Sequence, residues 1–182
     1  VDVIDLYQSH RDDADTPLAE TLGAYGDLIN AGKVRAIGAS NYTVERLKEA
    51  LETSARHNLP RYETLQPLYN LSDRADFEAG LQDFCAANNI GVIPYFGLAA
   101  GFLTGKYRTP DDFKKSIRGM RMANWLNERG LRILAAMDKV SAETGAKLSQ
   151  IALAWLMTRK AITAPIASAT SMEQFEELLG AL

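Results

Sequence analysis

The strongest constraint on this sequence is its alternation of short, β-rich apolar runs with longer runs of helical period. Val1–His10, Val34–Ala39, Tyr62–Gln66, Ile90–Tyr95 and Ala161–Ile166 all have strand character. The first four begin about 30 residues apart, the length of one βα unit. Between them the apolar residues change period. Leu18, Leu22, Tyr25, Leu28 and Ile29 recur at three- and four-residue steps behind Thr16-Pro17, with Thr16 as N-cap and Pro17 at the first helical position, and Gly32 ends that helix. Thr43 caps a second helix with Leu47 and Leu51 on one face, and Phe77, Leu81, Phe84 and Cys85 mark a third. Ile133, Leu134, Met137 and Val140 define a fourth, Leu148, Ile151 and Trp155 a fifth, and Ser171 to Gln174 open the last with a capping box. Residues 97 to 128 carry glycines and charge without a clear period. Such alternation builds a parallel sheet covered by helices, either an open doubly wound sheet or a (β/α)8 barrel. Five strands are too few to close an eight-stranded barrel.

At 182 residues the chain can bury one full core, and it shows no linker that would divide it, so residues 1–182 are expected to form one domain. A net charge of −3 gives no reason to expect nucleic acid or an anionic membrane as a partner. No apolar run approaches the roughly 20 residues that span a bilayer, and no signal sequence precedes Val1. The single cysteine, Cys85, excludes an internal disulfide and fits a reducing compartment, so a cytoplasmic setting is expected. Cys85 and Trp155 lie on helix faces and read as core residues. No metal-ligand spacing occurs, and no metal is expected.

In parallel βα proteins ligands meet the C-terminal ends of the strands. There stand His10, Ser40-Asn41, Gln66, Tyr95-Phe96 and the run from Ser168 to Ser171. His10 is either a general acid or carbonyl-polarising donor, or a structural histidine bonded to a loop. Ser40, Asn41 and Gln66 suit the reading of a planar carboxamide, though Ser40-Asn41 also reads simply as a turn. Tyr95 suits stacking on a ring, or packing in the core. His57 reads as a cation at a helix end. Gly97 to Lys106 is glycine-rich but departs from the phosphate-loop pattern, with one residue too few between Gly101 and Gly105 and Tyr107 where Ser or Thr belongs. Residues 106 to 121 hold six cationic side chains against Asp111 and Asp112, as either a pyrophosphate lid or a solvated loop. Ser168 to Ser171, ahead of a helix N-terminus, suits an anion.

These residues in this order resemble the aldo-keto reductases, in the bacterial branch related to potassium-channel β subunits. The likeness is carried by Val1 to His10, Thr16 to Leu22, Gly32 to Asn41, Gln66-Pro-Leu-Tyr-Asn70, Leu103 to Tyr107 and Pro165 to Gly180. It runs the whole length of the chain. The resemblance implies a (β/α)8 barrel that binds NADP(H) and reduces aldehydes or ketones to alcohols, of which this chain matches about strands 4 to 8. It implies His10 as the tetrad histidine; Ser40, Asn41 and Gln66 on the nicotinamide carboxamide; and Tyr95 stacked on its ring. Phe96, Gly97, Leu98 and Ala99, with Lys106 and Arg118, would line the pyrophosphate, and Ser168, Thr170, Gln174, Glu177 and Leu178 the adenosine end. The family's catalytic Tyr, Lys and Asp belong to earlier strands absent here, so a missing N-terminal barrel segment is expected as partner and the chain alone is expected to be inactive. Phe96-Gly97 stands where Ser-Pro is usual, Leu178 replaces the usual Asn, and no Arg or Lys lies between Ser168 and Gln174, which admits NAD(H) beside NADP(H). The alternative reading is a nicotinamide-nucleotide-sensing regulatory subunit with little turnover. A phosphosugar-type barrel enzyme rests on the Ser168 junction alone.

Overall fold

The computed structural model describes residues 1–115 and 119–182, and the chain divides into two compact units. The first comprises Val1–Pro67 and Asp76–Ile93, the second Leu68–Ala75 and Pro94–Leu182.

The first unit is a four-stranded, all-parallel sheet in the order β1-β2-β3-β4, from β1 (Ile4–Ser9), β2 (Val34–Ser40), β3 (Tyr62–Gln66) and β4 (Gly91–Val92). Strand order follows chain order because each crossover is a single helix: α1 (Leu18–Asn30), α2 (Val44–His57) and, after a π-helical turn at Phe77–Leu81, α3 (Gln82–Ala87). Leu22, Leu47 and Cys85 from the helices and Ile37, Leu65 and Val92 from the strands are all buried. Two helix starts differ in their chemistry. Thr43 caps α2, its side chain accepting from the Arg46 N–H at 3.2 Å. Thr16, expected to cap α1, instead donates to Asp13 Oδ2 at 2.7 Å, and Leu18 follows Pro17 without a side-chain cap. The opening strand reads as buried in the sequence, yet Ile4 and Tyr7 are exposed, because among the described residues β1 pairs with β2 alone.

In the second unit an isolated parallel bridge joins Leu68 to Tyr95. Three 3-10 segments follow, Ala99–Thr104, Pro110–Lys115 and Gly119–Asn124, and then α4 (Glu128–Thr144), α5 (Leu148–Met157) and α6 (Met172–Leu179). Phe102, Leu103, Tyr107, Met122, Leu134 and Ala152 form its core. The region without sequence period is thus largely 3-10 helix packed by its aromatic and aliphatic residues.

Two expected strands change form. Ile90–Tyr95 shortens to Gly91–Val92, and Ala161–Ile166 is not a named strand, keeping one bridge residue at Ile162 and a 3.5 Å bond from Ile166 N–H to the Pro94 carbonyl. Pro94 and Pro165 lack the N–H that a ladder needs, and Ala161 sits at φ +68°, outside the β region.

Candidate functional site

In the first unit the sheet register assembles two rows of side chains at the C-terminal end of the strands. Gln8 is registered with Gly38 and Gly38 with Thr64, and one step on Ser40 is registered with Gln66. Side chains two apart share a sheet face, so both rows look the same way. Gln66 Nε2 donates to Gln8 Oε1 at 3.0 Å, and Gln8 Nε2 donates to Thr64 Oγ1 at 3.3 Å. The buried Ser40 hydroxyl donates to the Gln66 carbonyl at 2.7 Å. Asn41 takes the left-handed conformation at φ +60°, which its short amide tolerates. Its Nδ2 donates to the His10 carbonyl at 3.0 Å and to Ser40 Oγ at 3.1 Å. His10, exposed just past β1, is therefore held through its backbone by the residue that follows β2.

The loop behind His10 is tied to α2. Arg46 Nε donates to Asp12 Oδ2 at 2.8 Å and Arg46 Nη1 to Glu49 at 2.9 Å. Asp13 is held below the usual carboxylate range by the Thr16 hydroxyl and the Asp15 N–H. Gly38 is required for space. A Cβ there would lie 2.1 Å from Thr64 Oγ1 and 3.1 Å from Gln8 Cγ.

In the second unit Tyr95 is half-buried and its ring meets Phe96 edge-on at 5.3 Å. Beyond it the backbone turns left-handed at Phe96 (φ +57°), Ala99 (+47°), Ala100 (+54°) and Gly101 (+105°). Non-glycine residues at positive φ are uncommon and persist where surroundings over-determine them. Asn70, fully buried, supplies that constraint. Its Nδ2 donates to the Phe96 carbonyl at 3.0 Å and to Asp73 Oδ2 at 2.9 Å, while its Oδ1 accepts the N–H groups of Ser72 and Asp73. Trp125 Nε1 adds a 2.9 Å bond to Asp73 Oδ2. Gly97 is packed so closely that a Cβ would lie 3.0 Å from Leu156 Cδ1. Leu98 is half-buried and Ala99 buried.

Two cations of this stretch, Arg108 and Lys115, have carboxylate partners. Arg108 grips Asp138 with two bonds of 2.8 and 2.7 Å, and Lys115 binds Asp112 at 2.7 Å and the Lys106 carbonyl at 2.9 Å. Lys115 and the N–H groups of Arg108 and Thr109 hold Asp112 well below the usual carboxylate range. Lys106 is exposed, its Nζ 5.1 Å from the Tyr107 ring. Arg118 lies outside the described residues. At the start of α6, Ser168, Thr170 and Gln174 are exposed. Ser171 Oγ accepts the Gln174 N–H at 3.2 Å, as a capping box requires. The reciprocal bond is shifted by one residue, since Gln174 Oε1 accepts from the N–H and hydroxyl of Thr170 at 3.0 and 3.1 Å. Glu177 turns to α5, bonded to the Ser149 hydroxyl and to Lys147 Nζ at 3.0 Å, and Leu178 is half-buried. The Ser149 bond, followed by Lys147, lowers the Glu177 pKa.

Three of these residues escape sequence reasoning. Gln8 and Thr64 look like polar interruptions in a strand, and Gly38 like an ordinary member of the Val34–Ala39 strand. The available clue was parity, since Gln8 and His10 share a face, as do Gly38 and Ser40, and Thr64 and Gln66.

Chemically, the first unit offers an oriented amide, a buried hydroxyl and an imidazole at strand ends. The second offers small left-handed residues, which allow close approach of a ligand to the backbone. Parallel βα units with polar strand ends define an α/β protein of the kind that meets its ligands at the carboxyl edge of the sheet. The chain belongs to the aldo/keto reductase family, whose model matches residues 1–182. The family implies a (β/α)8 barrel, and the four-stranded parallel sheet is consistent with part of one. The chain is 32% identical over 188 residues to an L-glyceraldehyde 3-phosphate reductase of Escherichia coli, covering 100% of this chain and 54% of that protein. It is 29% identical over 185 residues to the Aldo-keto reductase yakc [NADP(+)] of Schizosaccharomyces pombe, covering 100% and 53%. A probable voltage-gated potassium channel subunit beta of Oryza sativa subsp. japonica is 30% identical over 187 residues, covering 100% and 57%. The chain thus spans about half the length of the curated relatives it matches. No helix among the described residues is long and apolar enough to cross a membrane.

Proposed function

We propose that residues 1–182 form one partial barrel domain, about strands 4 to 8, of a cytoplasmic NAD(P)H-dependent reductase that converts aldehydes or ketones to alcohols. The observation that supports this best is the two-row polar network of the first unit, where Gln66 and Ser40 are held rigidly beside the His10 loop. Gln66 fits a carboxamide ligand, since its Nε2 is engaged by Gln8 while its Oε1 accepts no bond among the described residues. In this reading Ser40, Asn41 and Gln66 bind the nicotinamide carboxamide, and Tyr95 stacks on its ring. Phe96, Gly97, Leu98 and Ala99 meet the pyrophosphate through their backbone, with Lys106 and Arg118 supplying charge. Ser168, Thr170, Gln174, Glu177 and Leu178 meet the adenosine end, Glu177 keeping its anchor to α5. The bound dinucleotide supplies the hydride. His10 donates a hydrogen bond to the substrate carbonyl oxygen and orients it, since a neutral or charged imidazole can present an N–H there. The family's Tyr, Lys and Asp are not among these residues, so turnover belongs to the longer protein with its N-terminal barrel segment.

The test is to follow oxidation of NADPH and NADH by the full-length protein with a panel of aldehydes and ketones. His10→Ala should lower kcat by about 100-fold, the low end for a positioned proton-transfer group. Unchanged turnover on every reducible substrate would overturn the role of His10.

The resemblance to plant proteins named as probable potassium-channel β subunits favours a second reading, a nucleotide-sensing regulatory subunit. Stoichiometric cofactor binding without multiple turnovers would select it.

A further inference from the structure

Residues 96 to 101 of the second unit leave more backbone donors unpaired than a buried turn normally does. Among the described residues the N–H groups of Gly97, Leu98 and Ala100 donate to no protein group, although Gly97 and Ala100 are buried. Buried N–H groups are nearly always paired, and a run of free ones in a turn is the main-chain arrangement that takes an anion. The direction in which Gly97 presents its donor is set from the buried side. A trans peptide is planar, with its C=O and N–H on opposite edges, so whatever fixes the Phe96 carbonyl also fixes the Gly97 N–H. Asn70 Nδ2 donates to that carbonyl at 3.0 Å, and the Ala99 N–H adds a bond of 2.6 Å. The Asn70 amide cannot turn over. Its Oδ1 faces the N–H groups of Ser72 and Asp73 at 2.8 and 2.9 Å, which can only donate, and the Phe96 carbonyl can only accept. The turn that holds Asn70 is anchored in its own right. Trp125 Nε1 donates to Asp73 Oδ2 at 2.9 Å, and Arg129 Nη2 to the Ser72 carbonyl at 2.8 Å.

We propose that Asn70 is a positioning residue for the cofactor: by gripping the Phe96 carbonyl it turns the Gly97 N–H away from the core and toward the diphosphate. This rests on the assignment of Phe96, Gly97, Leu98 and Ala99 to the pyrophosphate. The consequence is preorganisation. Phe96 stands at φ +57°, which a non-glycine residue keeps only where its surroundings hold it. Without Asn70 the Phe96–Gly97 peptide is free to rotate, and binding the dinucleotide must then order it at a cost in affinity.

The test uses the full-length protein with NADPH as the probe. Its dissociation constant is measured by calorimetry, and backbone amide exchange is followed with and without it. In the wild type NADPH should slow exchange both at residues 97 to 100 and at residues 168 to 174. Asn70→Ser keeps an oxygen for the Ser72–Asp73 turn but is too short to reach Phe96. It should weaken NADPH binding by about tenfold and remove the protection at residues 97 to 100 alone. Asp73→Ala removes the acceptor shared by Asn70 and Trp125 and should act in the same direction by about threefold. It provides the readout should Asn70→Ser fold poorly. Asp73→Asn still presents an oxygen to both donors and should bind NADPH at least as tightly as the wild type. Unchanged affinity and protection in both Asn70→Ser and Asp73→Ala, or protection lost equally at the two segments, overturns the role of Asn70 while the cofactor assignment stands. A wild type that fails to bind NADPH, or binds it without protecting residues 97 to 100, overturns the assignment and the proposal with it.

Discussion

Asn70 satisfies both ends of its side chain in the interior, and in doing so it carries the strain of a neighbouring segment. Its amide nitrogen fixes the carbonyl of Phe96, a residue held at φ +57°, while its oxygen closes the Ser72–Asp73 turn. Asn70→Ala would leave several buried groups without partners and should destabilise the protein by about 2–4 kcal/mol in a denaturant titration. Asn70→Asp should not rescue it, because it removes the donor and sets a second carboxylate against Asp73. Ser40, Asn41 and Gln66 were legible as candidate site residues because strand-end position alone marks them. Asn70 was not, since an Asn between Tyr69 and Leu71 reads as an ordinary turn residue, and Gln8 was hidden because its meaning depends on which residues become its cross-strand neighbours. Cys85 was read correctly as core: it is fully buried, and burial pushes its thiol up to about 12.

Among the elements, α6 shows how one carboxylate can anchor a helix with no buried residue of its own. Glu177 joins it to α5 through Ser149 and Lys147, and Gln150 Nε2 adds a 3.0 Å bond to the Glu177 carbonyl. The Glu177 pKa is lowered in the folded state, so its contribution is present above the unfolded value and is lost as pH falls through the folded one. Glu177→Gln should therefore cost about 1 kcal/mol near neutral pH, and the difference from wild type should vanish in acid denaturation curves taken below the ordinary glutamate range. Helix periodicity was readable for α4 and α5, which cover the expected residues, because each carries its own hydrogen bonds and its own apolar stripe. The helix expected from Phe77 is instead interrupted at Gly80, φ +147°. Strands fared less well. β3 matches its expected bounds, while Ile90–Tyr95 and Ala161–Ile166 lose strand geometry at prolines, since a strand exists only where its neighbour can complete the ladder.

At the scale of the whole molecule, apolar surface is left open in each unit. β1 exposes Ile4 and Tyr7, and in the second unit Met172, Phe175 and Leu179 of α6 form an exposed stripe at helical spacing, with Leu182 exposed beyond it. Exposed apolar residues of this kind suit a covering element. If that element is the N-terminal barrel segment, the isolated chain should bind the dye ANS strongly and the full-length protein only weakly; equal binding would count against it. The sequence by itself determined the βα alternation, the helices, the polar character of the strand ends and the family, because these depend on local period and on residue type. The tertiary structure alone decided that Gln8 bonds to both Thr64 and Gln66, that Asn70 holds Phe96, and that Arg108 and Lys115 are spent on internal partners. Those facts are fixed by register and packing, which bring together residues that lie 56 or 58 positions apart in the chain, as Gln8 does with Thr64 and Gln66.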